Sequence, residues 1–535
     1  MGLALLSSFL FILSFPATRH GCSPWPLAFV SLVPLIISLE RTESASRQFL
    51  RGAAWGAVTA VGLGYWLFYA MVWEYQARVW TALLVMFFGV AAPLAVTYGL
   101  FGILFSVMGE RRMVARLLLF PSLWVLAEYT REAVPLLVPW GLIGYAAVPW
   151  NSYIQMADVT GVYGLSFMVA LCNGCIACLC GDLRIADVRN AFRGGLGGMR
   201  AMRIPGASRI VIAVLAAALL LPPLYGAFRA RSLRESVAAG LSVGKAVPVI
   251  VVQPNFTQEE RWKSAGLIDR VNVCIGLTGR CASDPAGIGD QDTGVAGARR
   301  GLVVWPETVL NSPALIDRRL FAHLRERLPG MGLLVAGGVR RGAGTRGVYN
   351  SAYLISGRGG TTFYDKNILL PYAERAPLGA ALGEYYNAPT EFLAGETPPA
   401  VAGDIVTAGL SICFEALYTS HARRAVTGGA GVLINISNDG WFGKTSEPLL
   451  HLRQASLRAV ENRRYLIRAS NNGYSAVISP SGEIIRRTGL FSRECLSLEI
   501  LSLAERSWYT ILGDWVVYLC AGIVTLLLGL VILRK

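Results

Sequence analysis

Eight apolar runs, at residues 3–15, 26–39, 53–72, 79–107, 114–129, 161–180, 210–228 and 515–533, constrain this chain more than any other feature. Backbone placed in hydrocarbon has to satisfy its own N–H and C=O groups, so such runs are predicted to be helices that cross a bilayer or pack beside it. Crossing takes about 20 residues. Five runs reach that length or fall one short, while the first, second and fifth are shorter. Charge helps to decide these. Arg41, Arg47 and Arg51 follow the second run, and Arg111, Arg112 and Arg116 the fourth. Arg184, Arg189, Arg193, Arg200, Arg203 and Arg209 follow the sixth, and Arg534 and Lys535 the last. Arginine-rich short loops mark the cytoplasmic face, and these clusters share one face only if each run between them crosses. The first two runs form a pair whose removal would leave the topology unchanged. The prediction is a multi-pass α-helical membrane domain of eight helices with both termini cytoplasmic. Residues 1–245 carry seven helices, 246–500 form an external block, and 501–535 carry the eighth helix.

Residues 3–15 have the length of a signal-peptide core. No Lys or Arg precedes them, no small-x-small cleavage site follows cleanly, and a second apolar run comes at once, so an uncleaved helix is expected. Composition agrees with a membrane protein: 54% of residues are hydrophobic and 16% charged. The net charge of +15 does not point to nucleic acid, because much of the excess is Arg in the short loops. The connection 130–153 holds Pro135, Pro139, Trp140, Pro149 and Trp150 among apolar residues. It reads either as an interfacial anchor or as the lining of a lipid entry site. Glu128 and Arg131, spaced i, i+3, are predicted to pair.

From 246 onward the period changes. Residues 247–253, 302–305, 332–339, 351–356, 406–412, 431–436 and 475–479 read as short strands, with helices predicted at 258–275, 313–327, 417–427 and 448–468. Strands covered by helices give an α/β sandwich. Residues 278–299, rich in Gly, Ala and Asp, read as a mobile insertion.

Three residues at the ends of apolar stretches carry the chemistry: Glu307 after Val303-Val-Trp-Pro, Lys366 after Phe363-Tyr-Asp, and Cys413 after Gly409-Leu-Ser-Ile. A thiol, a carboxylate and an ammonium can serve as nucleophile, base and oxyanion partner. Only a thiolate attacks, and Cys413 precedes a predicted helix whose N-terminal dipole is expected to favour it. Singly, each residue is as readily a buried structural Cys or a surface charge. Such machinery beside a bilayer suggests chemistry on lipids.

Together these residues resemble the nitrilase superfamily, whose Glu–Lys–Cys triad sits on an α-β-β-α sandwich. The matching pieces are Trp305-Pro-Glu307, Tyr364-Asp-Lys366 and Cys413-Phe-Glu415. Within that superfamily the chain is similar, over essentially its whole length, to the membrane-embedded apolipoprotein N-acyltransferase family. That likeness rests on Glu128-Tyr-Thr-Arg131, Pro139-Trp140, Gln253-Pro-Asn255, Asn350-Ser351, Asn438-Asp-Gly-Trp-Phe-Gly443 and Asn471-Asn-Gly473. The resemblance implies an external nitrilase-like domain with Glu307 as general base and Cys413 as nucleophile. Lys366 and the Phe414 N–H would stabilise the oxyanion, with Glu374 and Glu415 as supporting carboxylates. Trp140, Trp262, Trp441 and Phe442 match positions of substrate binding or a gate. Phe414 departs from the pattern, standing where a Tyr is often found.

The implied reaction moves an acyl chain from a phospholipid through a Cys413 thioester to the α-amine of diacylglyceryl-modified apolipoproteins. The implied place is the bacterial inner membrane with the catalytic domain periplasmic. No cofactor, metal or nucleic-acid partner is expected. Cys172, Cys175, Cys178 and Cys180 lie inside an apolar run as packing residues, and the four His residues are scattered. Cys274 and Cys281 are candidates to pair in an oxidising compartment. Two other classes compete: a membrane-anchored amidase with water as acceptor, and a transporter, against which the long spans hold few ionisable residues.

Overall fold

Short Val-, Ile- and Leu-rich runs beyond residue 246 become two six-stranded sheets in the computed structural model of the chain. The structure describes residues 1–535 except 17–22, 43, 108–111, 135–136, 183–205, 243–245, 258, 261–265, 284–300, 329, 343, 345–346, 372, 375–391 and 534–535. The chain divides into two units. One comprises Met1–Tyr65, Leu83–Phe228 and Asp514–Lys535, the other Trp66–Ala82 and Arg229–Gly513.

In the second unit the first sheet is built from β1 (Ala246–Gln253), β2 (Gly301–Val304), β3 (Met331–Arg341), β4 (Val348–Ser356), β5 (Thr361–Asp365) and β12 (Glu494–Leu501). Its order is β12-β1-β2-β3-β4-β5, parallel through β1, β2 and β3 and antiparallel elsewhere. The second sheet holds β6 (Ala400–Ala402), β7 (Thr407–Ile412), β8 (Val432–Ser437), β9 (Leu466–Ser470), β10 (Ala476–Ile478) and β11 (Ile484–Arg487). Its order is β11-β10-β9-β8-β7-β6, parallel through β7, β8 and β9.

Helices α1 (Leu267–Ser283) and α2 (Arg318–Arg327) share an apolar core with the first sheet. Helices α3 (Thr419–Thr427) and α4 (Glu447–Asn462) share one with the second. Side chains alternate faces along a strand. Ile250 and Val252 of β1 therefore join the helix-side core, while Val249 and Val251, also buried, lie on the other face. Burial on both faces explains why these strands read as continuous apolar runs. Gln253 and Asn471 stitch the two sheets. The Gln253 Oε1 accepts from the Ser475 amide (3.1 Å) and the Thr488 hydroxyl (2.7 Å), and the Asn471 carbonyl accepts from the Asn255 amide (2.8 Å).

The two-sheet α/β expectation holds, with corrections at its edges. The helix expected over 448–468 ends at Asn462, and its last residues belong to β9. Arg463 caps it in the left-handed conformation (φ 50°, ψ 50°), a turn usually made by Gly. No Gly or Pro announced the break. Strands β5, β6, β11 and β12 were not anticipated; β6 is three residues long, and β11 is an exposed edge. The helix expected from 258 is described from Leu267 and runs to Ser283, into the expected insertion, whose remainder falls almost wholly outside the described residues. Cys281 is disulfide-bonded to Cys495 of β12, and Cys274 stays a free, buried thiol.

Among the described residues, five helices are long and apolar enough to cross a membrane: Ala45–Glu74, Val79–Ser106, Ala157–Cys180, Gly206–Leu241 and Trp515–Ile532. Gly2–Leu13 and Trp25–Glu40 are shorter apolar helices. The expected Glu128–Arg131 ion pair is not formed. Glu128 instead accepts from the Trp124 indole (3.0 Å) and the Ile143 amide (2.7 Å), and Arg131 donates to the Trp140 carbonyl. Both side chains fix the backbone at Trp140 and Ile143, whose polar groups would otherwise go unpaired.

Candidate active site

Glu307 follows β2 in an extension held by β3. The Trp305 amide donates to the Val335 carbonyl (2.8 Å), and the buried Trp305 indole donates to Thr278 (3.1 Å). The Gly337 amide donates to the Pro306 carbonyl (3.1 Å). A Cβ on Gly337 would stand 2.5 Å from the Glu307 Cα, so only glycine lets this turn approach β3. Thr308 beside it has a positive φ of 57°. The Glu307 side chain, 7% exposed, accepts from Asn350 Nδ2 at 2.7 Å.

Lys366 ends β5. Its amide donates to the Asn350 carbonyl (2.8 Å), and its carbonyl accepts from Gly395 (2.7 Å). The buried ammonium donates to both Glu374 oxygens, at 2.8 and 2.7 Å, and lies 5.3 Å from the Phe414 ring centroid. Asn350 Nδ2 also reaches Glu374 Oε1 at 3.1 Å, so one amide bridges the two carboxylates. Burial works against the lysine's charge, but the neighbouring carboxylates, Glu374 first and Glu307 with it, outweigh it and hold the ammonium above its ordinary range.

Cys413 follows β7 directly with φ 54°, a left-handed conformation that a non-glycine residue keeps only when its surroundings enforce it. The Asn435 amide holds its carbonyl at 3.0 Å. Burial and the neighbouring Glu307 push the thiol's pKa up, and Lys366 pulls it down without reversing the shift. This corrects the expected thiolate. The helix after Cys413 is a five-residue 3₁₀ turn, Cys413–Leu417, too short for a strong dipole. The resting site therefore holds a neutral thiol that needs a base.

Glu415, fully buried, accepts from the Tyr364 hydroxyl (2.9 Å to each oxygen) and from the amides of Asn367 (2.7 Å), Ile368 (2.9 Å) and Ile412 (2.8 Å). It ties the β5 end, which carries Lys366, to the β7 end, which carries Cys413. These donors make Glu415 a staple between the two strand ends.

Beyond Cys413, Asn438 leads into a turn carrying Trp441 and Phe442. Trp441 stacks on Tyr75 (4.6 Å, 5°), Phe442 meets Trp66 edge-on (4.9 Å), and Gly443 packs against the Tyr69 ring. Beneath the turn, Asp439, Glu447 and His451 converge within 4.8 Å, and the Arg468 guanidinium, 2.9 Å from Asp439, balances their charge. Trp140 lies in the other unit, 8% exposed, and Trp262 lies outside the described residues. Tyr75, Trp66, Asn350 as a bridge, and Gly337 were not singled out by sequence reasoning. The aromatic density of Tyr65-Trp-Leu-Phe-Tyr69 was the available signal for the first two.

Comparison with known proteins bears on the whole chain. The family model for the apolipoprotein N-acyltransferase N-terminal domain matches residues 7–175, and that for carbon-nitrogen hydrolase matches 296–508. A curated apolipoprotein N-acyltransferase of Brucella suis is 31% identical over 79% of this chain and 76% of its own length. The chain belongs to the apolipoprotein N-acyltransferase family. The Geobacter metallireducens member is 29% identical over 100% of this chain and 95% of its own. Among solved structures, Saccharomyces cerevisiae Nit3, of the nitrilase superfamily, is 18% identical with a TM-score of 0.36, covering 48% of this chain and 90% of that one. That superposition is too loose to argue from, and the nitrilase-like α/β assignment rests on the family model and the two sheets.

Proposed function

We propose that the chain transfers an acyl group from a phospholipid to the α-amine of the diacylglyceryl-modified cysteine at the N-terminus of an apolipoprotein. The observation that carries this reading is the linked set in which Asn350 bridges Glu307 and Glu374, and Lys366 pairs with Glu374 and lies 5.3 Å from the ring centroid of Phe414, the residue after Cys413, in a family member whose first 228 residues are rich in apolar helices. Glu307 takes the thiol proton as the sulfur attacks the donor's ester carbon. Lys366, held cationic by Glu374, and the Phe414 N–H stabilise the oxyanion. Collapse breaks the ester C–O bond. The lysophospholipid alkoxide leaves with the proton from Glu307, and the acyl group stays on Cys413 as a thioester. The lipoprotein amine then attacks, Glu307 accepts its proton, and the thiolate departs as the amide forms, to be reprotonated by Glu307. An α-amine with a pKa near about 8 is partly neutral at pH 7.

The topology belongs to the same proposal: eight spans, both termini cytoplasmic, and the catalytic unit in the periplasm of the inner membrane. The Cys281–Cys495 disulfide supports it, because such bonds persist in oxidising compartments. The test incubates detergent-purified protein with an alkyne-tagged phospholipid, wild type beside Cys413→Ala. A hydroxylamine-sensitive label on the wild type alone is expected, and a diacylglyceryl peptide should discharge it. Absence of label from the wild type, with Cys413 shown to be reduced, would sink the donor step. Discharge by water alone would favour an amidase.

A further inference from the structure

A cleft of about 190 Å³, separate in its residues from the Cys413 site, is lined by Thr407, Gly429, Gly431, Ser502, Arg464 and Arg506. Arg464 is 2% exposed. Its Nε donates to the Ala430 carbonyl (2.8 Å), and its Nη1 to the carbonyls of Asn462, Arg463 and Glu505. Nη2 has no hydrogen bond among the described residues. Arg506, exposed, donates to the Thr427 carbonyl at 3.1 Å. Among the described residues no carboxylate lies within 4.0 Å of either guanidinium. The Glu505 side chain is 75% exposed and reaches Arg229 at 3.5 Å.

The electrostatics are unusual for a structural arginine. Every partner of Arg464 is a neutral carbonyl, so the side chain is oriented without being neutralised. Burial, then the like charge of Arg506, bring its pKa down to about 10, and Glu505 offsets only part of this. Two cations held together and partly desolvated make an anion site, because an oxyanion removes both the repulsion and the desolvation cost. Guanidinium forks match phosphate geometry in particular.

The chain around the cleft indicates where that phosphate comes from. Arg506 leads into the helix Trp508–Leu512, whose Trp508 (61%), Ile511 (55%) and Leu512 (49%) are exposed. The apolar helix Trp515–Ile532 follows at once. An exposed Trp with aliphatic neighbours immediately before an apolar span in the chain is the composition of a membrane interface, the level of lipid headgroups. Arg423 pins this segment through the Thr510 carbonyl at 3.0 Å.

We propose that Arg464 and Arg506 form a phosphate-binding cleft that holds a phospholipid headgroup. The inference does not depend on acyl transfer. Its test uses full-length protein in the Cys413→Ala background, so that no donor is consumed. Native mass spectrometry from detergent would compare dioleoylphosphatidylglycerol, dioleoylglycerol and inorganic phosphate. Phosphatidylglycerol should be retained and dioleoylglycerol not. Arg506→Glu, at an exposed position, should weaken retention about tenfold or more, as loss of a charge-assisted contact does, with an unchanged thermal midpoint. Unchanged retention in Arg506→Glu, or equal retention of dioleoylglycerol, overturns the proposal. If inorganic phosphate displaces the lipid mole for mole, the oxyanion site stands and the lipid as its ligand is overturned.

Discussion

At the scale of single residues, Asn350 and the Asp439 cluster are the most testable. Asn350 donates one amide to both Glu307 and Glu374, which keeps two carboxylates apart while each faces a different partner. Asn350→Ala should leave Glu307 misoriented and slow single-turnover acylation by about 10–100-fold, within the range general-base catalysis supplies. Wild-type acylation rates in that variant would remove Asn350 from the site. Glu447 offers a pH experiment. Burial raises its carboxyl from 4.5 to about 7, with Asp439 adding to the shift and His451 opposing it. A group that binds its proton more tightly when folded contributes stability that is full below the unfolded value and lost as pH rises through the folded one. The thermal midpoint of the full chain should therefore fall between about pH 4.5 and 7 on this group's account, and Glu447→Gln should flatten that fall. His451, also raised, leaves a residual slope. The triad residue types were legible because each ends an apolar stretch. The proton state of Cys413 was not, since it depends on burial and on Glu307, which stands 106 positions earlier.

At the scale of elements, the Cys281–Cys495 bond joins the last turn of α1 to β12, the edge strand of its sheet, across a separation of 214 residues. Cys281→Ser, or reduction of the wild type, should cost the catalytic unit about 2–5 kcal/mol, read as a lower denaturant midpoint. An unchanged midpoint would mean that the α1 core alone holds this edge. The shared oxidising compartment made Cys274 a candidate partner, and packing decided otherwise: Cys281 reaches Cys495 of β12, while Cys274 stays a free, buried thiol in the apolar core. The α4–β9 boundary was hidden for a similar reason. Its turn is made by Arg463, whose left-handed conformation is imposed by what surrounds it, including a donation from its guanidinium to the Pro480 carbonyl.

At the scale of the molecule, segment Trp66–Ala82 is grouped with the catalytic unit although it continues an apolar helix. Its aromatic residues back Trp441 and Phe442, so the turn beside Cys413 is shaped by residues far upstream in the chain. The proposed topology has a direct check. Alkaline phosphatase fused within 246–500 should be active, and fusions near residues 110, 200 and 535 should not. An active fusion near 110 or 200 would break the eight-span arrangement.

The sequence alone determined that apolar helices precede and follow an α/β block along the chain, and it singled out the thiol, carboxylate and ammonium proposed to carry its chemistry. Those are properties of local composition, period and motif. Tertiary structure alone decided which cysteine Cys281 meets, that Glu415 is a staple, and that Glu128 and Arg131 hold a loop rather than each other. It also decided that burial and Glu307 push the Cys413 thiol's pKa up and that Arg464 and Arg506 line one cleft with no carboxylate within 4.0 Å among the described residues. Each of these depends on desolvation and on distances between residues remote in the chain, quantities that no single stretch of sequence contains.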